Sequence, residues 1–309
     1  MHPAAAETTA APTPQTVDFW LTPTSYWAPK HLPVSAWYSH TPFAAWLMDT
    51  LRPSSVVELG THYGCSCFAF AESAKRLSHP CTILAVDTWE GDDHAGFYGQ
   101  EVLDYVATVT EAEYPESVRL IRSRFNEARH AVEDESVDLL HIDGRHAYED
   151  VLEDYSHWRS AVRSGGIILF HDIAEQDNGF GVWRLWDEIA GPGRSFAFEH
   201  GHGLGVLAVG DVRAPALRAL FEADDATAHR IREDFRRLGG DVERRAWLET
   251  LPAELASVRD EVQRRSDHEQ TLTDTIAQQS DYITELRSST SWQVTAPLRA
   301  IGRLRPDAK

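Results

Sequence analysis

Five short apolar runs, separated mostly by stretches with helical character, constrain the fold of this chain more than any other feature. The runs are Ser55–Leu59, Thr82–Val86, Val118–Ile121, Val137–Ile142 and Gly166–Phe170, and helical patterns occupy Cys67–Leu77, Glu101–Thr110 and Tyr148–Val162. Strands that are apolar along their whole length are buried on both faces, so the alternation predicts a mostly parallel sheet with helices on both sides. Ser195–Phe198 and Gly205–Val209 predict an antiparallel addition at the sheet edge. The expected fold is Rossmann-like α/β with a C-terminal helical extension.

The first predicted strand ends at Glu58 and leads into a turn with two glycines, Gly60 and Gly64. Glycine lets the main chain lie close to a flat ligand, and the helix that follows presents free N–H groups. The segment lacks the Gly-Lys-Ser/Thr pair of phosphate-binding loops and the three-glycine spacing of dinucleotide sites. An acid before the first glycine suits a cationic or amino-acid-bearing ligand. The alternative is a turn that serves only the topology.

Acidic residues end four of the five predicted parallel strands; these are Glu58, Asp87, Asp143 and Asp172. Ligands of open α/β sheets bind beyond the carboxyl ends of the strands. There, Asp87 could accept both hydroxyls of a ribose, Trp89 could cover an adenine, and Ser123 could meet the edge of the base. Acids that converge on one crevice repel each other unless a ligand, a cation or a proton compensates. The pattern predicts a cationic ligand, with or without a divalent metal.

These segments resemble a bacterial group of class I S-adenosylmethionine-dependent methyltransferases, which is related to macrocin-type sugar O-methyltransferases and is methyltransferase family 24-like. The similar segments lie in order within residues 35–210: Glu58–Gly64, Val86–Gly96, Asp138–Glu149, Gly165–Asp172 and His200–Gly205. The resemblance implies S-adenosyl-L-methionine as cofactor, bound by Glu58, Gly60, Thr61, Gly64, Asp87, Thr88, Trp89 and Ser123. It also implies methyl transfer to a hydroxyl group of a sugar or surface-glycan intermediate.

The resemblance also suggests a metal site at the sheet edge. In related metal-assisted O-methyltransferases, the acids that end strands four and five hold Mg²⁺, and Asp143 and Asp172 match these positions. The next residue usually completes the site, but here it is Ile173, which cannot ligate a metal. Either His171 or an acid of Glu90–Asp93 would have to substitute, so the requirement for Mg²⁺ stays open.

Catalysis is expected to centre on Asp143, His146 and Asp172. His146 matches the basic catalytic residue of catechol-type relatives, and an imidazole with a pKa of about 6.5 can accept a hydroxyl proton at neutral pH. The alternative is a surface histidine that caps the next helix. Arg145 replaces an acid of macrocin-type enzymes, and it is either a site for an anionic acceptor or a solvated charge. His200 and His202 flank glycines in a predicted hairpin turn and are either structural or close to the substrate.

Composition, residue pattern and the resemblance together divide the 309 residues into six predicted segments. These are a disordered leader (1–16), an aromatic-rich cap (17–40), the methyltransferase domain (41–212), a helical extension (213–250), a coiled coil (251–287) and a basic tail that contains Trp292 (288–309).

The C-terminal segments predict partners. Apolar residues, or polar residues that a coiled-coil core can accommodate, recur at alternating spacings of four and three over 251–286, with a polar middle at Arg265 and Glu269. This heptad pattern indicates a coiled coil and hence a homo-oligomer, and the alternative is a lone amphipathic helix folded onto the domain. The tail around Trp292 and Arg299 resembles the ends of bacterial glycan-assembly proteins. It implies a glycan-assembly partner or an anionic membrane surface.

The overall charge excludes one class of partner and supports a location. A formal net charge of −19 argues against nucleic-acid binding, which needs clustered Lys and Arg. The three cysteines give no disulfide framework, and no apolar run approaches the roughly 20 residues of a membrane span, so we expect a cytoplasmic protein, with the tail at the inner membrane face as an option. Two other functions compete with glycan methylation: methylation of a small natural product, and a non-catalytic scaffold for glycan-assembly enzymes.

Overall fold

A computed structural model describes residues 18–302, apart from residues 93 and 95. The predicted leader over 1–16 and the last residues of the predicted tail, 303–309, lie outside the described residues. The chain divides into two compact units after Ala246.

The first unit contains all strands of the described chain. They are β1 (Ser55–Leu59), β2 (Thr82–Asp87), β3 (Gly91–Asp92), β4 (Gly96–Phe97), β5 (Val118–Arg122), β6 (Val137–Ile142), β7 (Val162–His171), β8 (Ser195–Phe198) and β9 (Leu204–Ala208). The helices of this unit are α1 (Thr41–Leu51), α2 (Cys65–Arg76), α3 (Gln100–Glu113), α4 (Phe125–Ala128), α5 (Tyr148–Trp158), α6 (Val182–Ile189) and α7 (Pro215–Phe221). Helix α8 (Asp225–Ser288) contributes residues to both units.

Seven strands form one sheet in the order β5-β2-β1-β6-β7-β9-β8. The first five are parallel, whereas β9 runs antiparallel to both β7 and β8. This confirms the predicted mostly parallel sheet with an antiparallel addition. In the register, Leu59 lies beside Val86 on one side and Ile142 on the other. The carboxyl ends of β1, β2 and β6 are therefore level, and the loops that follow them open at one edge.

Alternating residues of the central strands enter two different cores. Val56, Leu139 and Leu169 pack in one cluster, whereas their neighbours Val57 and Leu140 pack in another. Since successive side chains of a strand point to opposite faces, the sheet is covered on both sides, as its continuous apolar strands predict.

Two boundaries differ from the prediction by four residues. Strand β7 begins at Val162 rather than at Gly166, because the chain already pairs with β6 at Val137 before a register shift. Helix α5 accordingly ends at Trp158, whose fully buried ring anchors a short 3-10 turn before β7. The small hairpin of β3 and β4 was not predicted, since its strands are two residues long and carry no apolar pattern.

The aromatic residues before α1 pack into the first unit. Trp20 is buried and its Nε1 donates a hydrogen bond to Asp234 at 2.9 Å. Trp37 is buried as well, and its ring lies 5.7 Å from that of Phe70 and 5.1 Å from that of His141. These rings bury large apolar area, which stabilises an otherwise irregular segment.

The second unit contains the rest of α8, followed by α9 (Thr290–Val294) and α10 (Ala296–Gly302). Arg299 stacks over the Trp292 ring with its guanidinium carbon 3.8 Å from the ring centre. Among the helices that the structure describes, none combines the length and apolar character needed to cross a bilayer.

Candidate active site

A cavity of about 620 Å³ opens where the loops after β1, β2, β6 and β7 meet. Eight of the predicted site residues line it: Gly60, Thr61, Asp87, Thr88, Asp143, His146, His171 and Asp172. Its wall is rich in acids, which also include Glu90, Asp92, Asp150, Glu153 and Asp154. Such a wall favours a ligand with positive charge over a polyphosphate, as the position of the acids in the sequence predicts.

The backbone at Gly60 is held between two strands. Its N–H donates to the carbonyl of Val86 at 2.9 Å, and the N–H of Asp143 donates to the carbonyl of Leu59 at 2.8 Å. Gly60 has φ +90, and a Cβ there would lie 2.6 Å from the carbonyl carbon of Asp143 and overlap its oxygen. The close approach of the two loops thus requires glycine.

Asp87 holds the loops on either side of it. One carboxylate oxygen accepts the N–H of His62 at 2.8 Å, and the other accepts the N–H of Trp89 at 2.7 Å. Tyr98 also hydrogen-bonds to this carboxylate. A carboxylate has about four acceptor sites, so Asp87 can still accept from a ribose hydroxyl. Thr61 also suits a ligand, because its buried Oγ1 has no hydrogen-bond partner among the described residues.

Glu58 and Gly64 do not line the cavity, which corrects their predicted contact with the cofactor. Glu58 is fully buried behind the loop, where it accepts from Ser66 Oγ at 2.5 Å and lies 3.1 Å from His141 Nδ1. Gly64, with φ +85, starts α2 and packs against the Phe68 ring. Both residues shape the loop from behind.

The predicted adenine contact of Trp89 is wrong, and Ser123, predicted to meet the edge of the base, does not line the cavity. Trp89 has φ +53, and this turn directs its ring into the core, where it is fully buried and donates to the carbonyl of His62 at 3.1 Å. Ser123 Oγ instead bonds to the carbonyl of Arg124 at 3.1 Å. Phe125 and Asn126 line the cavity at this end, although neither was predicted.

Two acids and two histidines form a compact cluster at the ends of β6 and β7. His146 Nε2 lies 2.8 Å from Asp172 Oδ2 and 3.7 Å from Asp143 Oδ1. On the buried side, His171 Nδ1 lies 3.2 Å from Asp143 and 3.3 Å from Asp172, while its Nε2 lies 3.1 Å from the carbonyl of Gly201. The structure therefore brings the three predicted catalytic residues together.

The carboxylates of this cluster hold protons on the histidines. Burial alone lowers the pKa of His146, but contacts with Asp143 and Asp172 outweigh it and raise the pKa to about 9. Burial likewise opposes the charged form of His171, yet the charges of both acids raise its pKa well above the ordinary value. His146 Nδ1 is buried and has no hydrogen-bond partner among the described residues. The ring is stacked on Phe180 at 4.6 Å, which fixes its orientation.

The donor set permits a divalent cation. Single ligand atoms of Asp143, His146 and Asp172 lie within 4.8 Å of one another. His146 thus joins the two acids in this set instead of the predicted His171, whereas Ile173 is buried in the core and contributes no ligand. Two carboxylates and an imidazole suit Mn²⁺ or Zn²⁺ better than Mg²⁺, which prefers oxygen ligands. Among the substitute acids, Glu90 and Asp92 line the cavity, and Asp93 lies outside the described residues.

Comparison with known proteins identifies the central segment. Residues 57–173 match the family model of a methyltransferase domain. This match supports the predicted methyltransferase domain within residues 57–173. The matched segment contains Asp87, Asp143 and His146 and extends to one residue past Asp172, so it covers the strand ends around the cavity.

The other similar proteins are a sequence relative and distant structures. An uncharacterized protein, y4gI, of Sinorhizobium fredii is 43% identical over 196 residues, which are 62% of this chain and 22% of the relative. This chain therefore spans about a fifth of that relative's length. The O-methyltransferase TomG from Streptomyces achromogenes, in complex with SAM, is 16% identical, covering 59% of this chain and 83% of its own, with a TM-score of 0.43. An O-methyltransferase from Bacillus cereus, in complex with SAH, is 15% identical over 59% and 84%, with a TM-score of 0.42.

A half-buried acid lies at the Phe125 end of the cavity, and the sequence did not reveal it. Asp154 is on α5 and lines the cavity. A Cβ added at Gly144 would lie 3.3 Å from Asp154 Oδ2 and would overlap the Phe125 ring, so both side chains lie close to Gly144. Burial, followed by the charges of Glu153 and Asp150, raises the pKa of Asp154 to about 7. A helical pattern in the sequence shows which face of α5 is polar, but it does not show that the loop containing Gly144 lies against this carboxyl group.

Asp154→Asn should stabilise the free protein increasingly as the pH rises from 5 to 8. A carboxyl whose pKa is higher in the folded state loses folding free energy as pH increases between its unfolded and folded pKa values. Removing the ionisable group removes this loss, and we expect a gain in Tm of at least about 3 °C at pH 8, with a smaller gain at pH 5. Thermal melts at both pH values measure it. Glu149→Gln, on an exposed part of α5, is the control, and equal gains at both pH values would contradict the assignment.

Proposed function

We propose that this protein transfers the methyl group of S-adenosylmethionine to a hydroxyl group, with His146 as the base that accepts the hydroxyl proton. The arrangement of His146 carries the proposal. The His146 side chain lines the cavity, and its Nε2 lies 2.8 Å from Asp172 Oδ2. Its Nδ1 is buried and has no hydrogen-bond partner among the described residues. An acid in contact with the imidazole fixes the ring at the cavity and stabilises the imidazolium that forms when the ring accepts a proton.

The cofactor fits the opposite side of the cavity. Gly60 provides close backbone, Thr61 provides a hydroxyl group without a partner among the described residues, and Asp87 faces the cavity. Phe125 and Asn126 give an apolar surface and an amide for the purine ring. Methyl transfer itself requires alignment of the acceptor oxygen with the sulfonium methyl group, so these residues act by fixing the donor.

The acceptor is proposed to be a sugar or a glycan intermediate. His94, His146 and Phe180 form a group of contacting rings beside the catalytic cluster. Phe180 stacks on His146, and its ring centre lies 4.7 Å from that of His94. Rings next to the acids Glu90 and Asp92 suit the apolar face and the hydroxyl groups of a sugar. A small aromatic natural product with a hydroxyl group fits the same surface and is the alternative acceptor.

A divalent cation held by Asp143, Asp172 and His146 would lower the pKa of the acceptor hydroxyl group. The same three side chains also form the acid-oriented base described above. These two uses of the cluster differ in one respect: only the first requires a metal for activity.

The decisive experiment is calorimetric titration of the protein with S-adenosylhomocysteine, followed by a methyl-transfer assay. We expect micromolar binding in EDTA, because the cofactor residues are separate from the acid cluster. The assay then compares nucleotide sugars and polysaccharide fragments with catechols, each with EDTA and with Mn²⁺, Zn²⁺ or Mg²⁺. The absence of S-adenosylhomocysteine binding would refute the enzyme and favour the scaffold, and turnover of catechols alone would move the acceptor to small molecules.

A further inference from the structure

Helix α8 exposes a stripe of apolar side chains within the second unit. The heptad stripe, as we call it, consists of Leu248, Leu251, Leu255, Val258, Val262, Leu272, Ile276, Ile283 and Leu286. Each of these residues is 42% to 68% exposed. The positions of the stripe follow the alternating spacings of three and four residues that are typical of a coiled coil. A solvated apolar seam of this length is unfavourable in water, and a second helix with the same spacing is its natural complement.

Two opposite charges interrupt the heptad stripe at its middle. Arg265 and Glu269 occupy consecutive stripe positions between Val262 and Leu272. The Arg265 side chain is 80% exposed, and its Nε pairs with Glu261 of the same helix at 2.8 Å. A charged residue at a seam position destabilises pairing in most registers, so it selects the register and direction in which the charge is compensated.

The two directions of pairing treat these charges differently. In a parallel pair in register, Arg265 faces Arg265 of the partner subunit, and Glu269 faces Glu269 of the partner subunit. In an antiparallel pair centred on Asp267, Arg265 faces the partner's Glu269 at both ends of the charged layer. Like charges directly opposed in a seam are unfavourable, whereas opposite charges there compensate each other.

The antiparallel register also satisfies the apolar positions. It places Val262 opposite the partner's Leu272, Val258 opposite the partner's Ile276, and Leu251 opposite the partner's Ile283. Leu248 then lies opposite the partner's Leu286, so the pairing extends along the whole stripe. Leu255 meets the partner's Gln279, and this apolar–polar pairing occurs twice, once on each side of the centre. The β-branched residues Val262 and Ile276 favour packing in a parallel dimer. The repulsion in two layers of like charge outweighs this packing preference.

We propose that two copies of this chain associate through the heptad stripe as an antiparallel coiled coil, with the register set by Arg265 and Glu269. The proposal is independent of the methyltransferase activity, because all of its residues belong to the second unit.

Engineered cysteines in the full-length protein test the direction. The native Cys65, Cys67 and Cys81 are buried, and burial raises the pKa of each thiol, so they are poor competitors for oxidation. When Val262→Cys protein is mixed with Leu272→Cys protein and oxidised, we expect a disulfide between the two variants. Disulfide dimers of Val262→Cys alone and of Leu272→Cys alone would show a parallel pair and overturn the proposal. A monomer in sedimentation at all concentrations would overturn it as well.

Charge variants test the register. Arg265→Glu should weaken the dimer at least about tenfold in sedimentation equilibrium, which corresponds to about 1.4 kcal/mol, and adding Glu269→Arg should restore it. Arg264→Glu is the matched control, since Arg264 is 73% exposed, pairs with Glu261 at 2.9 Å and lies outside the stripe. A dimer that survives Arg265→Glu unchanged would refute the register. Binding of S-adenosylhomocysteine should be the same in all of these variants, so a failure here is distinct from a failure of the proposed function.

Discussion

Gly60→Ala should weaken the binding of S-adenosylhomocysteine at least about 100-fold, or by about 2.7 kcal/mol. The added methyl group would overlap the backbone of Asp143, so the loop after β1 and the loop after β6 must separate. The clash is with backbone atoms, which cannot move aside as a flexible side chain would. Separation of the two loops therefore displaces both Thr61, which is proposed to contact the cofactor, and the carboxylate of Asp143. Calorimetry gives the affinity, and a thermal melt shows whether the variant is folded.

Gly193→Ala separates this clash from backbone strain. Gly193 also has a positive φ, +75, but a Cβ there would meet no described atom within 4 Å. Its substitution therefore imposes the same kind of left-handed strain without closing a gap, and we expect unchanged affinity with a modest loss of stability. Unchanged binding in the Gly60 variant would refute the assigned loop. Equal losses in both variants would attribute the effect to strain in the fold as a whole.

The strands were predictable because a strand that is buried on both faces is apolar along its whole length, and this pattern is visible in the sequence. Val56 and Val57 enter opposite cores, so both positions must be apolar, and that pattern is visible without any coordinates. The convergence of Asp87, Asp143 and Asp172 follows from the same topology, since the carboxyl ends of parallel strands share an edge. These three acids were therefore predictable, whereas Glu58, one residue before the end of β1, is buried behind the loop.

Side-chain direction beyond the strand ends was not predictable. Trp89 follows Asp87 by two residues, but a left-handed turn at Trp89 sends its ring into the core. The sequence offers no signal for that turn, because the residue is not glycine or asparagine. Similarly, Phe125 reaches the cavity because a helix starts just after β5, while Ser123 bonds within its own turn.

The pairing of His146 with Asp172 lies between these two cases. The resemblance predicted that Asp143, His146 and Asp172 act together, and the structure brings the three side chains into one cluster. The pKa of about 9 at His146 did not follow from the sequence, since it depends on both carboxylates reaching the same imidazole nitrogen. The ordinary value expected for a histidine base was therefore too low.

His146→Ala should lower kcat by about 10² to 10⁴-fold and change the affinity for S-adenosylhomocysteine less than about threefold, because the side chain removes a proton and does not hold the donor. His202→Ala is the matched control: His202 also lines the cavity, but it pairs with Glu175 at 2.6 Å, so kcat should be retained. Steady-state kinetics at saturating donor distinguishes the two variants. Full activity of the alanine variant at position 146 would remove this residue as the base.

The pH profile gives a sharper test of the same role. A base must be unprotonated, so the activity of the native enzyme in EDTA should rise with pH until about 9, where His146 loses its proton. Asp172→Asn removes one carboxylate that stabilises the imidazolium, so the pKa falls and the rise in activity moves to lower pH. Asparagine also tolerates the left-handed φ of +62 at this position, which keeps the backbone in place. An unshifted profile, or activity abolished by EDTA, would assign the cluster to a metal instead of a base.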